Sequence, residues 1–365
     1  MRRRIALVLV LLILTGGIIA SGQSPRYHFT EASGLTLIGK IFGDTPNPYH
    51  RVDTSRFNNL TRRENTLVRM SSGIACAFRT NSTAISVKTV YLAPTFPTNG
   101  NGISTRGYDL YIRENGKWLY AASGVSDDDS LEENLVLIQN LQEGRSYDCL
   151  LYFPLYSELG SVQIGILEGA DIHPLDNPFR HRIAIFGSSF THGSSTSRAG
   201  MSYPAQLSRA TGLQMLSLGV SGNCLLQDSF RDILCAAPDI DAFVFDAFSN
   251  PSAATMRKRL FPFIEKLQAA HPGVPLIFQR TIWREQRNFN TLKDAQEKKK
   301  MQVADSLMAI AVKRYPDVYY ITPNATSKTH ETSVDGVHPG DHGYTLWAES
   351  IRKPIRRILR KYGIK

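Results

Sequence analysis

Two kinds of periodicity divide this chain, and the change between them near Pro174 restricts the folds open to it. Beyond that point short apolar runs at 182–186, 214–218, 242–246, 275–279 and 318–321 alternate with helical stretches, among them 252–270, 290–314 and 341–362. Such alternation closes into a parallel sheet with helices on both faces, because each crossover must cover the sheet it crosses. Residues 25–172 read otherwise. The run from Ser82 to Tyr91 alternates with a period near two, and two further runs flank Asn115-Gly116, a strong hairpin signal. Val162-Gln163-Ile164-Gly165-Ile166-Leu167 reads as another strand. No helix-period segment of useful length interrupts this part, so an antiparallel β-sandwich of jelly-roll type is expected. Pro174 and Pro178 mark 170–178 as the linker. A length of 365 residues agrees with two domains.

The first 24 residues have a separate explanation. Arg2, Arg3 and Arg4 form a basic start, 5–14 an apolar core, and Ala20-Ser21-Gly22 a small-residue cleavage site. Residues 1–24 are therefore expected to be a signal peptide, and the protein exported, periplasmic or secreted. Gly16-Gly17 interrupts the apolar run, so no stable membrane insertion is expected after cleavage. Much of the net charge of +10 sits between Arg352 and Lys365. Without interleaved aromatics this reads as the solvated face and favourable end of a last helix, and no nucleic-acid partner is expected. Cys76, Cys149, Cys224 and Cys235 contain no Cys-x-x-Cys pair, which excludes the usual zinc spacings. Export permits disulfides. Pairing Cys76 with Cys149 and Cys224 with Cys235 would keep each bridge within one domain, although four cysteines allow three connectivities.

Chemistry enters at Gly187-Ser188-Ser189-Phe190-Thr191-His192-Gly193, which follows the apolar run ending at Phe186. A strand running into this turn places a hydroxyl at the C-terminal edge of a parallel sheet, where ligands bind. A serine hydroxyl needs a base to take its proton, a carboxylate to orient the base, and donors for the developing oxyanion. Asp335-Gly336-Val337-His338 supplies a carboxylate and an imidazole three residues apart. The α/β-hydrolase elbow is Gly-x-Ser-x-Gly, and here Thr191 occupies the second glycine position.

In combination these blocks resemble the SGNH (GDSL-like) hydrolase superfamily. Gly187-Ser188-Ser189 resembles its first block, with Ser188 in place of the usual Asp; Ser221-Gly222-Asn223 resembles the second. Asp246-Ala247-Phe248-Ser249-Asn250 resembles the third and Asp335-Gly336-Val337-His338-Pro339 the last. Gly200-Met201-Ser202-Tyr203-Pro204 is typical of one subfamily, whose preceding β-domain carries Gly-x-Asp-Leu-Tyr, present as Gly107-Tyr108-Asp109-Leu110-Tyr111. The likeness covers roughly 25–362. His192 departs from an expected Gln and Cys224 from a frequent Gly.

The resemblance implies a flavodoxin-like three-layer αβα domain over 173–365, with neither metal nor cofactor, hydrolysing O-acyl esters. Ser189, His338 and Asp335 would be catalytic. The oxyanion would lie between the N–H groups of Ser189 and Gly222 and the amide of Asn250. Asn250 could also cap the helix starting near Ser252, and Ser188 reads as a structural turn residue. Asp109 and Tyr111 read as packing residues of the β-domain. His192, as pocket wall or merely exposed, with Asn223 and Trp283 are the further pocket candidates. His342 reads as the start of a solvent-facing helix and not as a metal ligand. The expected partner is an acylated small molecule or glycan, handled by an exported serine esterase. A lipid or thioester acylhydrolase and a non-catalytic glycan-binding protein are the competing readings.

Overall fold

The computed structural model describes residues 25–95, 97–126 and 130–365, and the signal-peptide reading of 1–24 lies outside them. The first unit contains β1 (Tyr27–Glu31), β2 (Thr36–Ile38), β3 (Ala75–Thr80), β4 (Ile85–Pro94) and β5 (Tyr108–Glu114). It continues with β6 (Lys117–Gly124), β7 (Glu132–Ile138), β8 (Tyr147–Tyr152), β9 (Ser157–Leu167) and β10 (Ile172–Pro174). One sheet has the order β1-β9-β4-β7 and the other β10-β3-β8-β5-β6, with β2 also paired to β3. All these pairings are antiparallel. Ile85, Val87, Val162 and Ile164 of one sheet and Phe78, Leu110, Cys149 and Leu151 of the other share a core, which makes the unit a sandwich.

Three expectations need correction here. The segment read as a linker contributes β10, whose Ile172–Pro174 pairs with Thr80, Arg79 and Phe78. A proline is tolerated there because it ends a strand at the sheet edge. The unit also contains helices, α1 (Arg62–Arg69) and α2 (Gly102–Thr105). A capping box starts α1: Thr61 Oγ1 accepts from the Glu64 N–H, and the Glu64 carboxylate accepts from the Thr61 N–H. That signature is legible in Thr61-x-x-Glu64, but eight residues are too few for a helical period to stand out.

The third correction concerns the cysteines, all four of which are free thiols. In the β3–β8 register Cys149 lies opposite Phe78, and Cys76 lies opposite Leu151. Cys76 and Cys149 are therefore diagonal neighbours on one face, at a spacing of about 7–8 Å. A disulfide needs Cα atoms about 4.4–6.8 Å apart, so the ladder holds them out of bonding position. Burial raises both thiol pKa values, which further suppresses the reactive thiolate.

The second unit has β11 (Arg180–Gly187), β12 (Leu213–Gly219), β13 (Ala242–Asp246), β14 (Leu276–Gln279) and β15 (Val318–Ile321). Its helices are α3 (Ser189–His192), α4 (Tyr203–Thr211), α5 (Asp228–Cys235), α6 (Ala253–Ala270), α7 (Thr291–Arg314) and α8 (Asp341–Arg360). The sheet is parallel, in the order β12-β11-β13-β14-β15. Numbered within the unit this is 2-1-3-4-5, the flavodoxin-like order. Alternate residues of the strands serve opposite faces. Phe186, Leu218, Phe245 and Phe278 meet α5, α6 and α7 through Phe230, Phe263 and Met308. Ile183, Ile185, Met215 and Val244 meet α4 and α8 through Leu207, Trp347 and Ile351. Burial on both faces explains the near-continuous apolar strands in the sequence.

The two units share one apolar core, which joins Ile38, Val68 and Tyr152 to Phe186 and Leu218. Two polar contacts fix their relative position. Arg51 is fully buried and donates to the Met70 and Gly219 carbonyls at 2.9 Å each, with Ser217 O at 3.4 Å and Leu67 O as further partners. Burial pushes its pKa down to about 9, and carbonyl oxygens from both units are its acceptors. Asp109 is also fully buried, and accepts from Arg198 Nη1 at 2.8 Å and from the Gly200 N–H at 2.8 Å. Arg198 also donates to Tyr111 Oη at 2.6 Å. The two subsignatures of the sequence thus touch each other, and Asp109 and Tyr111 hold the units together instead of only packing the sandwich. A Cβ on Gly200 would stand 2.6 Å from Asp109 Oδ2, so only glycine admits this approach.

A thiol titration of the full chain, denatured in guanidinium without reductant, is expected to count four free thiols. Two or fewer would restore the disulfide expectation.

Candidate active site

At the end of β11 the chain turns so tightly that a Cβ on Gly187 would lie 2.0 Å from Thr191 Oγ1. Ser188 is the N-cap of α3, its Oγ accepting from the Phe190 N–H at 3.2 Å and donating to Asp246 Oδ2 at 2.6 Å. With that hydroxyl occupied and fully buried, Ser189 is the serine that faces the cleft. Asp246 ends β13, and also accepts from the Ser188 N–H at 3.1 Å and from Ser249 Oγ at 3.0 Å. Burial raises its pKa, opposed by these hydrogen bonds.

Ser189 Oγ lies 2.8 Å from His338 Nε2, and His338 Nδ1 lies 2.8 Å from Asp335 Oδ2. The local spacing explains the second contact. Asp335 Oδ1 closes the turn by accepting from the N–H groups of Val337 and His338 at 2.9 and 2.7 Å, which leaves Oδ2 for the ring. Burial alone would raise the Asp335 carboxyl, but the donors from His338 and Val337 prevail and hold it at about 2. Its neighbours fix this loop. Glu285 accepts from Thr332 Oγ1 and Ser333 Oγ at 2.7 Å each, and the Gln286 N–H donates to Gly336 O at 2.8 Å. The His338 ring meets Phe190 edge-on at 5.5 Å, and Phe190 meets the buried Trp347 at 5.6 Å.

Three donors surround the space beside Ser189. The N–H groups of Ser189, in the first turn of α3, and of Gly222 find no acceptor among the described residues. Asn250 lines the cleft, and its Oδ1 accepts from the Cys224 N–H at 3.3 Å, which leaves its NH₂ as the donor. Asn250 is not the cap of α6, because Ser252 Oγ takes that role through the Thr255 N–H.

The cleft has a volume of about 540 Å³. Its lining includes Ser189, His338, Gly222 and Asn250, together with Arg284 and Lys300. The β-sandwich unit adds Arg63, Pro97, Asn99 and Tyr156 to it. Asn99 Nδ2 donates to Asp335 Oδ2 at 3.1 Å and lies 3.1 Å from His338 Nδ1. Tyr156 Oη bonds Ser221 Oγ at 2.8 Å and also Ser194 Oγ, bracing the segment that carries Gly222. No motif announces these residues in the sequence.

The further pocket candidates lie elsewhere. His192 is fully buried behind Tyr156, ring stacked on ring at 4.2 Å, and its Nε2–H donates to Leu155 O at 2.7 Å. Burial, with Arg51 nearby, drives its pKa well below the ordinary range, so it is a neutral structural imidazole. Asn223 folds back, its Nδ2 donating to Ser221 O at 2.8 Å, and shapes the turn without lining the cleft. Trp283 lines a separate groove with Phe289 and His330; one face of its ring is covered by Arg287 at 3.9 Å.

Comparisons with known proteins follow this geometry. The GDSL-like lipase/acylhydrolase family model matches 180–356, and the model for the N-terminus of SGNH-hydrolase-type esterases matches 26–172. No curated protein matches the chain. A Bacteroides ovatus protein described as a GDSL-like lipase is 34% identical, with a TM-score of 0.86 over 92% of this chain and 98% of its own. A salicylyl-acyltransferase from a tetracycline biosynthetic pathway shares the fold at 17% identity, TM-score 0.64, over 91% of this chain and 97% of its own. So does a family two carbohydrate esterase from Cellvibrio japonicus, at 13% identity, TM-score 0.61, over 92% and 99% respectively.

Asp246→Ala would strip the acceptor from the buried hydroxyls of Ser188 and Ser249 and from the Ser188 N–H, and a weaker one from Thr191 Oγ1 at 3.4 Å. At about 1–3 kcal/mol for each donor left unsatisfied, urea unfolding is expected to show a loss above about 3 kcal/mol. A loss below about 1 kcal/mol would mean that the turn does not depend on Asp246.

Proposed function

Because the chain belongs to the GDSL-like lipase/acylhydrolase family, preceded by the N-terminal domain of SGNH-hydrolase-type esterases, we propose that it is an exported serine esterase removing short acyl groups, acetyl foremost, from carbohydrate. One observation carries the reading: the unbroken hydrogen-bonded line from Ser189 Oγ through His338 to Asp335, in a cleft that Gly222 and Asn250 also line. Ser189 Oγ attacks the acyl carbon while His338 Nε2 takes its proton. Asp335, charged because its pKa lies near 2, holds the Nδ1–H and stabilises the imidazolium. The carbonyl oxygen becomes an oxyanion between the N–H groups of Ser189 and Gly222 and the Asn250 amide, whose attraction grows with the developing charge. As the ester C–O bond breaks, His338 gives its proton to the departing sugar alkoxide, which leaves as the alcohol with the acyl group on Ser189. Water, deprotonated by the same imidazole, releases the acid from the acyl-serine.

The cleft supports a short acyl group on a polar alcohol. Its apolar wall is limited to side chains such as Pro97, Phe190 and Val337, whereas Asn, Ser, Arg and Lys groups form much of the remaining surface. The carbohydrate esterase of the same fold is consistent with a sugar as the alcohol. Export rests on the N-terminal 1–24 pattern. Among the described residues no helix is long and apolar enough to cross a membrane.

Turnover of p-nitrophenyl acetate tests the esterase. Ser189→Ala is expected to abolish it. Ser188→Ala, which removes a cap worth about 1 kcal/mol, is expected to lower stability and leave most of the turnover. An active Ser189→Ala protein would overturn the assignment. Asn250→Ala is expected to lower kcat by about 10²–10³ with little change in KM, the signature of a donor used mainly in the transition state. A near-normal kcat would remove Asn250 from the oxyanion site.

A further inference from the structure

The charge of the cleft is one-sided. Arg63, Arg284 and Lys300 line it, and no Asp or Glu side chain does. The three cations differ in what they already hold. Arg284 is neutralised by Glu297 at 2.9 Å, with both side chains largely buried. Lys300 is half-buried, donates to Ser249 O at 2.7 Å, and has no carboxylate within ion-pair distance among the described residues. An ammonium has three donors, so two remain to be used. Burial, reinforced by Arg284 and only partly offset by the Glu297 and Asp246 carboxylates nearby, pulls its pKa down to about 8. Arg63, on α1, lines the same cleft and likewise has no ion pair among the described residues. Its exposed side chain is carried on a helix that is fixed to the cleft. The neighbouring Glu64 closes the capping box and accepts from Gln227, whose amide also donates to Asn223 O at 2.7 Å. This chain of contacts ties α1 to the segment carrying Gly222.

Two cations outside any ion pair among the described residues, supplied by separate units to the cleft that holds Ser189 and His338, form a counter-charge for something that enters with the substrate. We propose that the cleft selects esters of acidic sugars: O-acylated sugars whose carboxylate is bound between Arg63 and Lys300 while Ser189 attacks the acyl group. This inference rests on the esterase reading above and narrows its substrate class from carbohydrate to anionic carbohydrate. The Lys300 ammonium contributes charge and two free donors; the Arg63 guanidinium contributes a fork that matches a carboxylate. Arg284, already paired with Glu297, needs no carboxylate from the ligand.

The test compares kcat/KM for O-acetylated methyl glucuronoside with O-acetylated methyl glucoside, using p-nitrophenyl acetate as a probe without a sugar. The acidic ester is expected to be preferred by about 10-fold to 100-fold, the size of one or two charge-assisted contacts. The ratio of acidic to neutral sugar ester should fall toward one in Arg63→Gln, in Lys300→Gln and in 0.5 M salt, where the attraction is screened. Arg63 lies on the exposed face of α1, so its replacement does not endanger folding. Ser189-dependent turnover of p-nitrophenyl acetate with no preference between the sugars would overturn this inference and leave the esterase standing. Equal losses on both sugar esters in the two variants would overturn it as well, by assigning the cations to the oxyanion. Absence of Ser189-dependent turnover on every ester would overturn both readings.

Discussion

The Asp246 carboxylate is the reference point of the site. It sits fully buried at the end of the central strand β13, and the donors it holds come from both sides of the cleft. From one side Ser188 gives it an N–H and a hydroxyl, fixing the turn that presents Ser189. From the other Ser249 gives a hydroxyl, fixing the residue before Asn250. Ser189 and Asn250 are therefore positioned against the same two oxygens. Burying a carboxylate costs several kcal/mol in isolation, and surrounding it with donors recovers that cost only in this one arrangement. The desolvation cost thereby becomes geometric specificity.

A second constraint is that the sandwich is part of the site. Asn99 reaches the carboxylate that orients His338, and Tyr156 braces the Gly222 segment through Ser221. The clasp of Asp109 on Arg198 and Gly200 holds the sandwich in register with the sheet edge for these contacts to form. A shift of one unit against the other would alter the hydrogen bonding of Asp335 and the wall of the cleft together.

The change of pattern near Pro174 and the parallel sheet beyond it were legible because hydrophobic periodicity is a local consequence of sequence, whereas the flavodoxin-like order was implied only by the resemblance to a known family. Ser189, Asp335 and His338 could be read together because Gly187-Ser188-Ser189 follows an apolar strand and Asp335-x-x-His338 can pair within one turn. The oxyanion groups came from the resemblance of Ser221-Gly222-Asn223 and Asp246–Asn250 to known blocks. Asn99, Arg63 and Tyr156 carry no such mark, since their positions depend on how the sandwich docks on the α/β sheet, and Lys300 is one lysine among several along α7. His192 misled for the same reason: adjacency to Ser189 in sequence places it one helical turn away and inward, behind Tyr156. The cysteines show a subtler failure. Sharing a domain and even adjacent strands does not make a bridge when the register is offset by one pair.

Arg51 bears on how freely the two halves of such a chain can be exchanged. Its guanidinium satisfies carbonyls at the end of β12, the strand whose far side supports the second unit's own helices. Without the sandwich, the carbonyls of Ser217 and Gly219 lose this donor, and apolar residues such as Phe186 and Leu218 lose part of their cover. The α/β half is thus not a portable catalytic cassette. Modularity in this architecture resides in the pair, and a recombined partner must bring an equivalent buried cation as well as a matching surface.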